Sequence, residues 1–223
     1  MKLLQAGLRL FFVHFYTSLA WTYDAIAYLV SVGQWNAWVL SAQEAITAGP
    51  VLEIGHGPGH LLVKLGPRAT GLDPSRQMSR LAQRRLRRSG IKPRLVRARS
   101  QALPFRSASF GCLVATFPAE FILQPRSIEE AWRVLRAGAE LVIVAMAEIR
   151  GRGALDRLAN WLFRVTGQAG EIPPEWTEPL LQVGFEVHRV DLPVLRSNVV
   201  QIIGSKLPQP RVGPRDPVPI QMT

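Results

Sequence analysis

The sequence predicts an α/β domain, a mostly parallel sheet flanked by helices, and three observations carry that expectation. From Pro50 onward, short apolar runs alternate with segments of helical periodicity, the pattern of strands joined by crossover helices. The first of these runs ends in glycines at 55, 57 and 59, and a helical segment opens directly after them. The chain has 223 residues, 48% of them hydrophobic and 19% charged, which suits one domain with a real core and is short for two.

Ahead of the sheet, residues 1–48 read as an N-terminal helical extension. Its clearest piece is 34–47, where Trp35, Trp38, Val39, Ala42 and Ile46 recur at helical spacing before Gly49-Pro50 stops the helix. Residues 10–16 and 21–32 are apolar and rich in aromatics. Arg9 and His14 cut the first apolar run below the roughly 7–15 residues of a signal-peptide core. Asp24, Gln34 and Asn36 cut the second below the about 20 needed to span a bilayer. The extension is therefore expected to pack on the main domain or cap its ligand site, with peripheral contact to a membrane interface as the second reading.

Strands are expected at 51–54, 69–72, 94–97, 110–116, 140–147, 185–191 and 198–204, with helices at 59–65, 75–88, 127–136, 154–165 and 175–183. In the fourth helix Leu155, Leu158, Leu162 and Val165 line one face, which is core spacing. These elements make residues 49–206 the main domain. Residues 207–223 hold five prolines in 17 positions and read as an extended or disordered tail.

Composition narrows the function classes. The one cysteine, Cys112, forms no internal disulfide and reads as a small buried hydrophobe, so a reducing, cytoplasmic setting is expected. The histidines at 14, 56, 60 and 188 are scattered, and His56 and His60 lack the intervening glutamate of a zinc helix, so no metal site is expected. The net charge is +11, and residues 74–99 account for nearly all of it: nine Arg and Lys92 with no acid, against 17 basic and 16 acidic residues elsewhere. That run reads either as a solvated helix face or as a surface for nucleic acid or anionic lipid, with the first favoured.

The strongest local signal is VLEIGHGPGHLL at 51–62. A buried strand ends at Glu53-Ile54, the glycines let the backbone turn and approach a ligand, and the helix that follows points its amino end at the same place. Such a turn serves dinucleotides as GxGxxG and S-adenosylmethionine as GxGxG; position 60 is His60, so the dinucleotide spacing fails. Asp73, in GLDPS at 71–75, ends the second strand where a ribose-binding carboxylate is expected, and Pro74 beside it also suits a helix start.

With these segments in place, the sequence resembles the class I S-adenosylmethionine-dependent methyltransferases, particularly the small-molecule branch of the ubiquinone and menaquinone methyltransferases. Four motifs match in order: EIGHGPG at 53–59, GLDPS at 71–75, ALPFRSASF at 102–110 and EEAWRVLRAGAELVIV at 129–144. The resemblance implies a Rossmann-like fold with a seven-stranded sheet, S-adenosylmethionine as cofactor and a small, apolar or aromatic methyl acceptor. It implies that Glu53 and the turn of Gly55, His56, Gly57 and Gly59 hold the methionine end, that Asp73 takes the ribose, and that Pro74 beside it is also a cofactor-binding residue. Ser100 and Gln101 would border the adenine, and Thr116 and Phe117 would floor the site. Three positions depart from the family pattern: Arg99 where an acid often receives the adenine amino group, Gly111 in place of an aspartate, and Gly138-Ala139 in place of a double glycine.

Methyl transfer needs a general base only if the acceptor must lose a proton. Glu120, beyond the fourth strand, is one candidate; His14, Tyr16 and Tyr23 are others if the N-terminal helices fold over the site. Alternatives from other classes are a nucleic-acid methyltransferase using the basic face of 74–99, and a non-catalytic cofactor-binding or membrane-associated module. Against the nucleic-acid reading, no aromatic residue interleaves the arginines for base stacking.

Overall fold

Val51–Ile54 (β1), Ala69–Leu72 (β2) and Phe110–Thr116 (β4) are strands at the bounds their sequence pattern predicts. They form the centre of a seven-stranded sheet of order β3-β2-β1-β4-β5-β7-β6 with Leu95–Val96 (β3), Leu135–Ile149 (β5), Glu186–Val194 (β6) and Ser197–Ser205 (β7). All pairings are parallel except those of β7, which runs antiparallel to both β5 and β6. The computed structural model describes residues 27–28, 31–118, 120–151, 153, 156–157, 159–160 and 176–208.

The central strands are buried on both faces, and successive residues go to opposite layers as the period of two requires. Val51, Cys112 and Val142 join one core with Trp38, Val39, Leu61 and Leu62, while Leu52, Leu113 and Ile143 join the other with Ile128, Ala131 and Leu180. The first layer carries the helices α1 (Trp35–Leu40), α2 (Ala42–Ala45) and α3 (His60–Leu65), and the second carries α5 (Pro125–Val134) and α6 (Glu178–Val183). Helix α4 (Arg76–Arg88) links β2 to the edge strand β3; Met78, Ala82 and Leu86 face inward, and Leu86 joins the first core. Its amino end is capped by Ser75, whose hydroxyl accepts the Met78 N–H.

Several sequence expectations shift. The helix expected over 34–47 is divided at Ser41, whose hydroxyl donates to the Trp38 carbonyl and competes with the helical ladder. The helix expected at 127–136 begins at Pro125, which suits a first-turn position, and ends at Val134. It ends there because Leu135 is already extended and pairs with Phe110, so β5 starts five residues earlier than its apolar run suggests; the register then shifts across Gly138 before Glu140 meets Cys112. Helix α6 likewise starts at Glu178, three residues later than expected. Residues 1–26, most of the helix expected at 154–165, and the tail from 209 lie outside the described residues.

Two buried glutamines fasten α1 and α2 to the sheet. The Gln34 side-chain oxygen accepts the Arg196 N–H and the Ser197 hydroxyl, each at 3.0 Å, and the Gln201 amide donates to the Ser41 hydroxyl. Because Ser197 pairs with Ile149 at the carboxyl end of β5, α1 starts at the carboxyl rim of the sheet and runs away from it.

Candidate cofactor site

At that rim the glycines of the β1–α3 turn divide the work. Gly59 caps α3 with φ +82°, and a Cβ there would stand 2.9 Å from the Ala82 Cβ and 3.1 Å from its Cα, so this glycine lets α3 press against α4. Gly57, at φ +50°, would meet nothing within 4 Å: its backbone faces open space, where a ligand can approach. Beside them, a Cβ on Gly55 would touch the Phe121 ring at 3.5 Å. The turn is held from β2 and α4. Gly55 N–H donates to the Leu72 carbonyl (2.7 Å), Gly57 N–H to Asp73 Oδ2 (3.0 Å), and the Arg85 guanidinium donates to the Pro58 carbonyl.

Three titratable side chains sit beneath this turn, all but inaccessible. Glu53 is 1% exposed, its Oε2 has no hydrogen-bond partner, and burial, helped by the nearby Asp73, pushes its carboxyl well above the ordinary carboxylate range. His56 turns inward at 3% exposure. Its Nδ1–H donates to the Gly57 carbonyl at 2.7 Å, which leaves Nε2 as a buried lone pair without a partner, and burial holds its pKa below the usual value. Its ring occupies the space a side chain at residue 71 would need, since a Cβ on Gly71 would stand 2.8 Å from His56 Cδ2. Asp73 takes Gly57 N–H on Oδ2 and Ser75 N–H on Oδ1, and burial raises its carboxyl against the opposing pull of His56. Each Asp73 oxygen keeps a further lone pair for a ligand donor.

The other residues singled out in the sequence fall around this rim with different attachments. Pro74 is exposed, directly after Asp73. The buried Ser100 hydroxyl meets Ser127 Oγ at 2.8 Å. Ser127 donates to the Phe121 carbonyl at 2.7 Å, so Ser100 is the donor in the first bond, and this chain fixes the turn after β4. Gln101 is tied to Gln124 (2.7 Å) in the same turn. Thr116 ends β4 half-buried. Phe117 follows at φ +45° and stacks on Trp35 of α1 with ring centroids 4.6 Å apart, placing an aromatic wall at the rim. Glu120 opens the short 3₁₀ turn Glu120–Leu123 beyond that wall. His14, Tyr16 and Tyr23 lie outside the described residues.

Three side chains around the rim were not singled out for the site in the sequence, Arg85, Ser127 and Trp35, and His56, placed in the turn, was not foreseen to point its ring inward. Only His56 left a signal, in the Gly71 that makes room for its ring, and that signal needs β2 known to lie beside β1.

The later two motifs meet in a clamp. Leu103 N–H donates to Glu130 Oε2 at 2.7 Å. Arg133 forks onto the same carboxylate at 2.6 and 2.8 Å, and also donates to the carbonyls of Phe105 and Leu103. The departures from the family pattern also have local causes. Gly111 packs against the chain before β1, where a Cβ would stand 2.8 Å from the Gly49 carbonyl oxygen. Ala139 fits buried beside the Gly138 bulge, while Arg99 is exposed. Cys112 is buried in β4, its thiol pushed up to about 12 by burial, which keeps it unreactive.

Residues 51–138 match the family described as a methyltransferase domain. The ubiquinone/menaquinone biosynthesis C-methyltransferase UbiE of Blochmanniella floridana is 30% identical over 139 residues, covering 56% of this chain and 54% of that protein. This chain thus spans about half the length of that curated relative. Two solved structures share the fold. The YcgJ protein of Bacillus subtilis has a TM-score of 0.56 at 18% identity, over 77% of this chain and 98% of that one. A geranyl diphosphate C-methyltransferase from Streptomyces coelicolor A3(2), solved with Mg2+, geranyl diphosphate and S-adenosyl-L-homocysteine, has a TM-score of 0.57 at 17% identity, over 77% and 78%. The sheet order agrees with the fold of these solved structures, and residues 51–138, which hold the glycine turn and its two acids, are similar to a methyltransferase domain.

Proposed function

We propose that the chain binds S-adenosylmethionine at the β1–β2 rim and directs its methyl group to a small apolar or aromatic acceptor. A carbon of a quinone-type ring is the acceptor class favoured by the C-methyltransferase relative. The observation that carries this reading is the open backbone of Gly57 set between two buried acids, Glu53 with an unmatched oxygen and Asp73 with lone pairs to spare. A buried carboxyl oxygen without a partner is costly, and a cofactor bringing an amino group and ribose hydroxyls supplies further donors. When bound, S-adenosylmethionine presents a methyl on a sulfonium, a group open to in-line attack.

The chain's own residues then have separable tasks. Glu53 and the backbone of Gly55, His56, Gly57 and Gly59 hold the amino-acid end, and Asp73, kept in place by Ser75 and Gly57, takes the ribose. Ser100 and Gln101 border the adenine, and Pro74 contacts the cofactor beside Asp73. Thr116 and Phe117, backed by Trp35, wall the acceptor from water; positioning of this kind is worth up to roughly 7–11 kcal/mol in favourable cases. Glu120 is the candidate base where the acceptor must lose a proton, with His14, Tyr16 and Tyr23 as the alternatives. In this arrangement residues 1–48 cap the cofactor domain of 49–206, and 207–223 form a tail. Calorimetry with S-adenosylmethionine, S-adenosylhomocysteine and NAD in parallel tests the reading: the first two bind at one site and NAD does not. Binding of NAD alone would overturn it.

A further inference from the structure

Apart from Arg85, which braces the Pro58 carbonyl, the basic residues of 74–99 have no task in the site above. On α4, Arg76, Arg80, Arg84, Arg87 and Arg88 are all exposed, and Lys92, Arg94, Arg97 and Arg99 continue the exposed charge past the edge strand β3. Among the described residues no acid pairs with any of these nine groups. Along the helix Arg76, Arg80, Arg84 and Arg88 stand four residues apart, a spacing at which like charges repel and weaken the helix. A merely solvated face is normally laced with acids at these positions. This one concentrates positive potential on one flank, and that potential is relieved only by an external anion.

We propose that this flank is a docking surface for the phosphate headgroups of an anionic membrane. The face is a convex helix beside a sheet edge rather than a groove, and residues 74–99 contain no aromatic ring on which a base could stack, which weighs against nucleic acid. A polybasic helix against an anionic leaflet needs neither feature. Preference for lipid also rests in part on the acceptor proposed above, because an apolar acceptor partitions into bilayers. The position suits such delivery: Arg76 follows the Asp73–Ser75 segment and Arg99 precedes Ser100, so both ends of the face border the carboxyl rim where the cofactor site lies.

Sedimentation of the full chain with vesicles tests this. Vesicles of phosphatidylcholine alone are compared with vesicles containing about one-third phosphatidylglycerol, over a series of salt concentrations. The chain binds the anionic vesicles and not the neutral ones, and binding falls steeply as salt rises. Combined substitution of Arg80→Gln, Arg84→Gln, Arg87→Gln and Arg88→Gln weakens that binding by at least about tenfold. Neutralising four exposed arginines elsewhere (R106Q, R126Q, R150Q, R157Q) changes it less than about twofold. Equal losses in the two variants, equal binding to neutral vesicles, or tighter binding to a mixed-sequence DNA duplex than to anionic vesicles at the same salt would each overturn the proposal. Calorimetry with S-adenosylhomocysteine on the same preparations reads the cofactor site independently, so failure of the surface and failure of the methyltransferase reading give different results.

Discussion

At the carboxyl rim Glu53, His56 and Asp73 are buried, and two of the three keep a polar atom with no partner; at the clamp Glu130 and Arg133 are 21% and 35% exposed, and their donors and acceptors are engaged. In the sequence the two regions look alike, acids and glycines or arginines inside family motifs. Their finish differs. The clamp is complete as it stands and holds the 103–105 loop to α5, whereas the rim is left with unmet hydrogen-bonding capacity that a ligand can satisfy. A motif is thus structural or functional according to what its polar atoms have already been given.

The largest effect expected separates the two glycines of the rim. Gly59→Ala forces a Cβ into Ala82 at a positive φ, and should cost about 2–4 kcal/mol in chemical denaturation from strain and overpacking together. Gly57→Ala meets no neighbour and should cost only about 1–2 kcal/mol, the backbone strain alone, while weakening cofactor affinity more than Gly59→Ala does per unit of stability lost. Similar stability losses in the two would contradict the division of labour.

Next comes the contrast between acid and clamp in binding. Asp73→Asn removes the charge that ribose hydroxyls would meet, and should raise the Kd for S-adenosylhomocysteine by about 10- to 100-fold, the range of a hydrogen bond to a charged group. Arg133→Ala should leave that Kd within about threefold and instead lower stability by about 1–2 kcal/mol, because the Leu103 and Phe105 carbonyls lose their donor. A clamp variant that weakens binding as much as the acid variant would erase the comparison.

The smallest effect is in pH. His56 has a folded-state pKa below its ordinary 6.5, so the unfolded chain binds more protons below that value, and stability present above 6.5 declines as pH falls toward the lowered pKa. Glu130 sits below its ordinary 4.5, so its contribution persists down to 4.5 and is lost only as pH falls further. Glu53 and Asp73 act in the opposite sense, their raised carboxyls favouring the folded state at lower pH. In melting experiments across pH 7 to 5, His56→Asn should flatten the acid-side decline, and Arg133→Ala should not.

The central strands were legible because each is a short apolar run bounded by turns, and β1, β2 and β4 match their expected ends. Elements whose limits depend on tertiary pairing were not. Leu135 looks helical from its neighbours, yet it pairs with Phe110, and nothing local records that. The same holds at the site. The positions of Glu53, the glycines and Asp73 followed from strand ends and turn chemistry, while the inward turn of His56 required the neighbouring strand's Gly71, and the Ser100–Ser127–Phe121 chain required a loop and the first turn of α5 brought together from 27 residues apart.

A crystal structure of the chain with S-adenosylhomocysteine tests the central claim most directly. The amino group is expected within hydrogen-bonding distance of Glu53, the ligand backbone over Gly57 and the ribose hydroxyls on Asp73. A ligand seated elsewhere, with Glu53 Oε2 still unpartnered and the Gly57 face still open, would contradict it.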